Sequence, residues 1–144
     1  MLVQQILKEK GNAEVVSVKP GSLVQDAAKI LADRRIGTVI VSTDGTTAEG
    51  ILSERDIVRE IGNRGPACMS DKVDDMMTSK LITCGMNDDA VDILAKMTEG
   101  RFRHMPVVEG DTLVGLITLG DVVKARLSEL AMEKDALEGM IMGY

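Results

Sequence analysis

Residues 50–58 read GILSERDIV, and residues 115–123 read GLITLGDVV. Each is a glycine, two apolar residues, a hydroxyl side chain, two variable residues, an aspartate and an apolar pair. Ser53-x-x-Asp56 has the form of a capping box. The hydroxyl accepts from an amide three residues on, and the acid reaches back to the first amide. Such a box marks a strand running into a helix. Thr118-x-x-Asp121 writes the same junction again, and a junction written twice points to a duplicated unit.

The duplication extends outward from those stretches. Residues from Val16 lie over residues from Ile82 at an offset of 66 as far as Ser42, and of 65 from Gly50, where one turn residue is lost. Each copy opens on a short apolar strand, residues 15–18 and 81–84. Helix starts follow, with Ser22 and either Asn87 or Asp88 as N-caps. Val24, Ala27, Ala28 and Leu31 recur at helical spacing, as do Ala90, Ile93, Leu94 and Met97. Gly37 and Gly100 stand near the helix ends. Two apolar runs come next in each copy, 38–41 with 48–52 and 105–108 with 113–117, separated by the turn residues TDGTT and EGD. A second helix closes each copy, over 54–61 and from 119 onward.

This order predicts an α/β (α+β) fold of two pseudo-symmetric β-α-β-β-α repeats packed through their sheets. One copy of about 45 residues is too small to bury its own sheet faces, so the two must share an interface. The chain divides into a first repeat with an N-terminal helix (1–64), a linker and short helix (65–78), a second repeat (79–127) and a helical tail (128–144). The tail's apolar positions Leu127, Leu130, Ala131, Leu137 and Ile141 form a stripe that packs either on its own core or on a partner subunit.

Composition narrows the function. The net charge is −6 and aromatic residues make up 1 % of the chain, Phe102 and Tyr144 alone. An acidic chain repels phosphate backbones and offers few rings for base stacking, which argues against nucleic acid and anionic membranes. No run approaches the ~20 apolar residues of a membrane span, and no cleavable leader is visible, so a cytoplasmic protein is expected. Cys68 and Cys84 lack metal-ligand spacing and read as small fillers. A redox role would fall mainly to Cys68. With one histidine, neither a metal centre nor a nucleophile with its base can be assembled. Asp74 with Asp75 and Asp88 with Asp89 sit at helix starts, where acids are favoured anyway. An enzyme is not expected.

The duplicated box also has a binding reading. A helix start after a strand presents free amides and a positive dipole end, which suits phosphate. Ser53 or Thr118 adds a hydroxyl, and Asp56 or Asp121 can chelate a ribose diol. Gly50 and Gly115 lack a Cβ where a ligand or neighbouring backbone comes close. Capping and binding compete for the same side chains.

The repeated unit with GILSERD and GLITLGD resembles a pair of cystathionine-β-synthase (CBS) domains, a Bateman module. DDMMT, RIGTVIV and FRHMPVV match similar strings of that family, and the resemblance covers about residues 3–127. It implies a stand-alone regulatory module that binds AMP, ADP or ATP, or another adenosyl ligand such as NAD or S-adenosylmethionine. Two clefts between the repeats are implied, with Asp56 and Asp121 on ribose and Ser53 and Thr118 on ribose or phosphate. Ile36, Gly37 and Thr38, and Met105 with Pro106, are implied to cradle adenine, and Leu116 is implied among the nucleotide-binding residues. Arg103 and His104 are implied to meet phosphate, with Arg55 either on phosphate or solvated. The first repeat has Gly37 and Thr38 where the second has Arg103 and His104, so one good site is expected over two. A homodimer and a separate regulated protein are the implied partners. The alternative is a ligand-free interaction scaffold.

Overall fold

The computed structural model describes residues 1–11 and 15–143. Tyr144, assigned to the tail, lies outside the described residues. The order is α1 (Val3–Lys10), β1 (Ser17–Val18), α2 (Val24–Arg34), β2 (Thr38–Val41), β3 (Gly50–Ser53), α3 (Glu54–Arg64), a 3-10 turn (Pro66–Ser70), α4 (Val73–Met76), α5 (Ala90–Gly100), β4 (His104–Glu109), β5 (Thr112–Thr118) and α6 (Leu119–Met142).

In the first repeat β2 lies between β1, to which it is parallel, and β3, to which it is antiparallel. In the second, β4 and β5 form an antiparallel pair. The strand expected over 81–84 shrinks to a single parallel bridge between Cys84 and Val107. Turn residues follow both opening strands at once, Pro20-Gly21 and Gly85, and leave little to pair.

Each repeat has its own core. One gathers Val24, Ala27 and Leu31 of α2, Val39 and Val41 of β2, and Leu52 of β3 with Val73 and Met76 of α4. The other gathers Ile93 and Met97 of α5, Met105, Val107 and Ile117 of the hairpin, and Val122 with Val3 and Ile6 of α1. The first helix is thus next to the first repeat in sequence but packs on the second. Burying Val3 and Ile6 there stabilises by roughly 1.5–3 kcal/mol each.

The same arrangement corrects both expected N-caps. Val24 N–H donates to the Asp71 carbonyl at 2.8 Å, and Val73 N–H to the Ser22 carbonyl at 2.8 Å. The residue flanking α2 is Leu23, with no side-chain cap, because the backbone before α4 already satisfies the first amide. At the matching place Val3 N–H donates to Asp88 and Ala90 N–H to Met1, both at 2.9 Å. Asp89, rather than Asn87 or Asp88, caps α5 from its side chain. Gly37 and Gly100 do stand near the helix ends, but it is Arg35 and Arg101, at φ 54° and 55°, that adopt the left-handed turn closing α2 and α5.

The motif glycines have a structural reason of their own. A Cβ on Gly115 would stand 2.9 Å from Leu7, and one on Gly50 would run into Met77. In each case a side chain from a helical segment, Leu7 of α1 or Met77 at the end of α4, takes up the space a Cβ would fill.

All four residues of β2 are buried. Val39 and Val41 belong to the first core, whereas Ile40 is fully buried and in neither core. By the alternation of a strand, Thr38 and Ile40 point away from that core. Leu113 N–H also donates across the boundary to the Thr46 carbonyl at 2.7 Å. Beyond Ala125, α6 has no buried residue, and Leu127, Leu130, Leu137 and Ile141 are exposed. Of the two places expected for the tail, its own core is therefore excluded. No helix among the described residues is long and apolar enough to cross a membrane.

Candidate functional site: two clefts between the repeats

Each repeat contributes a motif to one cleft and the residues leading into its middle strand to the other. Cleft 1, of about 420 Å³, sets Ile36, Gly37 and Thr38 of the first repeat against Leu116, Thr118 and Asp121 of the second. Lys10 and Arg35 also face it, and Leu7, Val15, Val16 and Val114 line its apolar wall. Cleft 2, of about 520 Å³, sets Phe102, Arg103 and His104 of the second repeat against Ile51, Ser53 and Asp56 of the first. Arg55, Arg59, Lys80, Leu81, Ile82 and Arg101 complete it. Both volumes suit a small-molecule ligand. A smaller cavity of about 250 Å³ lies where α3 and α6 begin, touching Gly37, Ser53, Arg103, His104 and Thr118.

Both capping boxes form, and both acids nevertheless face a cleft. Ser53 N–H and Oγ donate to Asp56 Oδ2 at 2.9 Å each, and Asp56 N–H donates back to Ser53 Oγ at 3.2 Å. Arg59 holds the other oxygen at 2.8 Å. Thr118 N–H donates to Asp121 Oδ2 at 2.9 Å, and Asp121 N–H to Thr118 Oγ1 at 3.1 Å. Lys10 reaches the same Asp121 oxygen at 2.9 Å and the Leu116 carbonyl at 3.1 Å. Burial pushes the Asp121 carboxyl up, but the Lys10 ammonium and the Thr118 amide outweigh it and hold it below the usual carboxylate range. A carboxylate pinned at one oxygen keeps acceptor capacity for a diol on the other.

His104 lines both clefts and the cavity between them. Burial lowers its pKa from the ordinary 6.5, Lys10 and Arg103 push the same way, and Glu54 and Asp121 oppose them. The unfolded chain therefore takes up the proton more readily than the folded one. The stability this contributes is present above the ordinary value of 6.5 and is lost as pH falls below it toward the folded value. Between roughly pH 7 and roughly pH 5.5 the melting temperature should fall, and His104→Gln should flatten that fall. An identical pH slope in wild type and variant would remove His104 as its cause.

Thr38 Oγ1 is the one buried side-chain polar atom without a partner among the described residues, and Thr38 lines cleft 1. Buried hydroxyls are nearly always satisfied, so an orphan beside a cleft calls for a ligand group.

Met105 and Pro106, expected beside adenine, line neither cleft. His104 faces the clefts, so its neighbour Met105 points into the second core, while Pro106 is buried and gives its carbonyl to the Cys84 amide at 3.0 Å. The apolar lining of cleft 2 is instead Ile51, Leu81, Ile82 and Phe102. Arg35 and Arg101 were missed, although they occupy one repeat position and the duplication could have paired them. Lys10 and Leu7 carried no such signal, because they arrive from a helix over 100 residues distant in the chain. Cys68 and Cys84 are buried and unpaired, and burial raises the Cys84 thiol to about 11. Among the described residues no His, Cys, Asp and Glu side chains gather as metal ligands.

Comparison with known proteins agrees with this architecture. The family model for the CBS domain matches twice, over residues 7–63 and 73–128. The mitochondrial CBS domain-containing protein CBSX3 of Arabidopsis thaliana is 32 % identical over 98 % of this chain and 72 % of its own length. Of some longer Arabidopsis relatives the chain spans only about a quarter, 25 % and 24 %. A CBS-domain protein from Agrobacterium tumefaciens superimposes with a TM-score of 0.83 at 38 % identity, over 88 % of this chain and 99 % of that one. A CBS domain protein from Pyrobaculum aerophilum complexed with AMP does so at 0.77 and 25 % identity, over 92 % and 99 %. With two copies of the repeat, crossed clefts and two family matches that together take in most of its length, the chain belongs to the CBS-domain family.

Proposed function

We propose that this chain is a regulatory module that binds AMP, ADP or ATP in its two clefts and passes the ligand state to a separate protein. The observation that carries this is the crossed composition of each cleft: the motif acid comes from one repeat and the strand lead-in from the other. A ligand seated there touches both repeats and shifts their relative arrangement toward the bound one. The acids meet the ribose hydroxyls, the starts of α3 and α6 face phosphate, and Ile36 with Leu116 packs on the base in cleft 1. The AMP complex of the Pyrobaculum relative supports the same chemistry. The unpaired cysteines fit a reducing cytoplasm.

Thermal shift with AMP, ADP and ATP tests this reading. Thr38→Val removes the orphan hydroxyl at nearly constant shape, so the free protein should melt no lower than wild type. Its adenylate-induced rise should shrink. A rise of full size in the variant would take Thr38 out of the site. The scaffold alternative rests on the acids being already engaged in capping. It predicts no rise with any adenylate.

The tail supports a homodimer. Val123, Leu127, Leu130, Lys134, Leu137 and Ile141 follow 4-3-4-3-4 spacing, the a/d seam of a coiled coil, and the five apolar members are exposed. An antiparallel copy sets Lys124 near the partner's Glu138 and Lys134 beside an apolar layer, whereas a parallel one opposes Glu133 with Glu138. A second copy is therefore read as lying antiparallel on this seam. Sedimentation should show a dimer that Leu130→Asp with Leu137→Asp turns into a monomer; an unchanged mass would place any dimer contact elsewhere.

A further inference from the structure

The two clefts are alike in plan and unlike in charge. Cleft 2 is faced by Arg55, Arg59, Lys80, Arg101 and Arg103, with Asp56 as the one acid. Of these five, only Arg59 enters an ion pair among the described residues. Cleft 1 is faced by Lys10 and Arg35 against Asp121, and Lys10 is already taken up by that acid. In a chain of net charge −6, gathering five of its 17 basic residues around one concavity needs a reason. Like charges held together repel, and an anion placed among them removes the repulsion and is drawn in by the focused field.

We propose that cleft 2 takes an adenosyl ligand bearing a di- or triphosphate, and that cleft 1 takes an adenosyl ligand of low charge, so that one chain reads two ligand classes. This rests on the reading of the clefts as adenosine sites. The cavity between them gives the asymmetry a second cause. Ser53, Arg55 and Arg103 border both that cavity and cleft 2, Gly37 and Thr118 border it and cleft 1, and His104 borders all three. A phosphate chain extending from cleft 2 enters this space. A second polyphosphate approaching from cleft 1 meets it there and is repelled. A neutral or singly esterified adenosyl group meets no such barrier and finds a mostly apolar wall.

Calorimetric titration of the intact protein with ATP, AMP and adenosine, at low and high salt, separates the classes. Arg101→Asn with Arg103→Gln removes two cations of cleft 2; asparagine tolerates the left-handed turn at 101. This double variant should weaken ATP binding at least about tenfold and reduce its salt dependence, with adenosine binding unchanged. Asp121→Ala should weaken adenosine binding by roughly 10- to 100-fold and leave ATP binding within about twofold, since this acid faces cleft 1 and not cleft 2. Circular dichroism checks that both variants are folded. ATP binding that survives the arginine changes, or that follows Asp121, overturns the assignment while leaving adenylate binding in place. Absence of heat with all three ligands in the wild type overturns the assignment together with the proposed function.

Discussion

Ile40→Ala is expected to destabilise the chain by about 2–5 kcal/mol, the range for a large core aliphatic cut to alanine. Ile40 is fully buried, belongs to neither repeat's core and points away from Val39 and Val41, on the side where the two repeats are expected to meet. Little collapse into the void is available, because β2 is hydrogen-bonded on both edges, to β1 and to β3. At roughly 2–4 °C per kcal/mol the melting temperature should drop by several degrees to more than ten. Urea melts check the magnitude. A change below about 0.5 kcal/mol, the usual size for a surface position, would mean that the two sheets do not pack on each other.

The second large effect is on binding. Asp121→Ala should weaken the ligand of cleft 1 by roughly 10- to 100-fold, the loss expected when hydrogen bonds to a charged group disappear. The same change removes half of a capping box, and a lost cap costs about 1 kcal/mol of stability. The two losses separate in a melt. The free variant should melt slightly lower than wild type. With ligand at one hundred times the wild-type Kd, the stabilisation of about 2.7 kcal/mol should shrink to below about 1.5 kcal/mol. Lys10→Met provides the comparison: it frees the Asp121 oxygen without disturbing the cap. Equal ligand-induced stabilisation in wild type and Asp121→Ala would show that this acid only caps α6.

Much of the fold was legible because strands and caps are local. Both hairpins, both boxes and the continuous final helix could be read from alternation, turn residues and the offset of the repeats. What could not be read was which sheet an amphipathic helix covers. The stripe containing Val3 and Ile6 would look the same on either repeat, and only the closed structure shows it exchanged. The N-caps were misplaced for the same reason, since the amide at Val24 is satisfied by Asp71, a backbone group remote in sequence. Within the site, the motif residues and Ile36, Gly37, Thr38, Arg103 and His104 lie on the clefts. The family resemblance puts Met105 and Pro106 beside adenine, whereas the two-residue period of β4 turns Met105 into the core.

The overhang of α6 has a mechanical consequence. From Ala125, the last buried residue, to Met142 is about 25 Å of rigid rod. Pivoting such a rod by about 10° at its anchored end sweeps the free end through about 4 Å, more than half a helical turn of travel. A reorientation of one lobe too small to notice at the crevices would thus arrive at the far tip as leverage on whatever is clamped there.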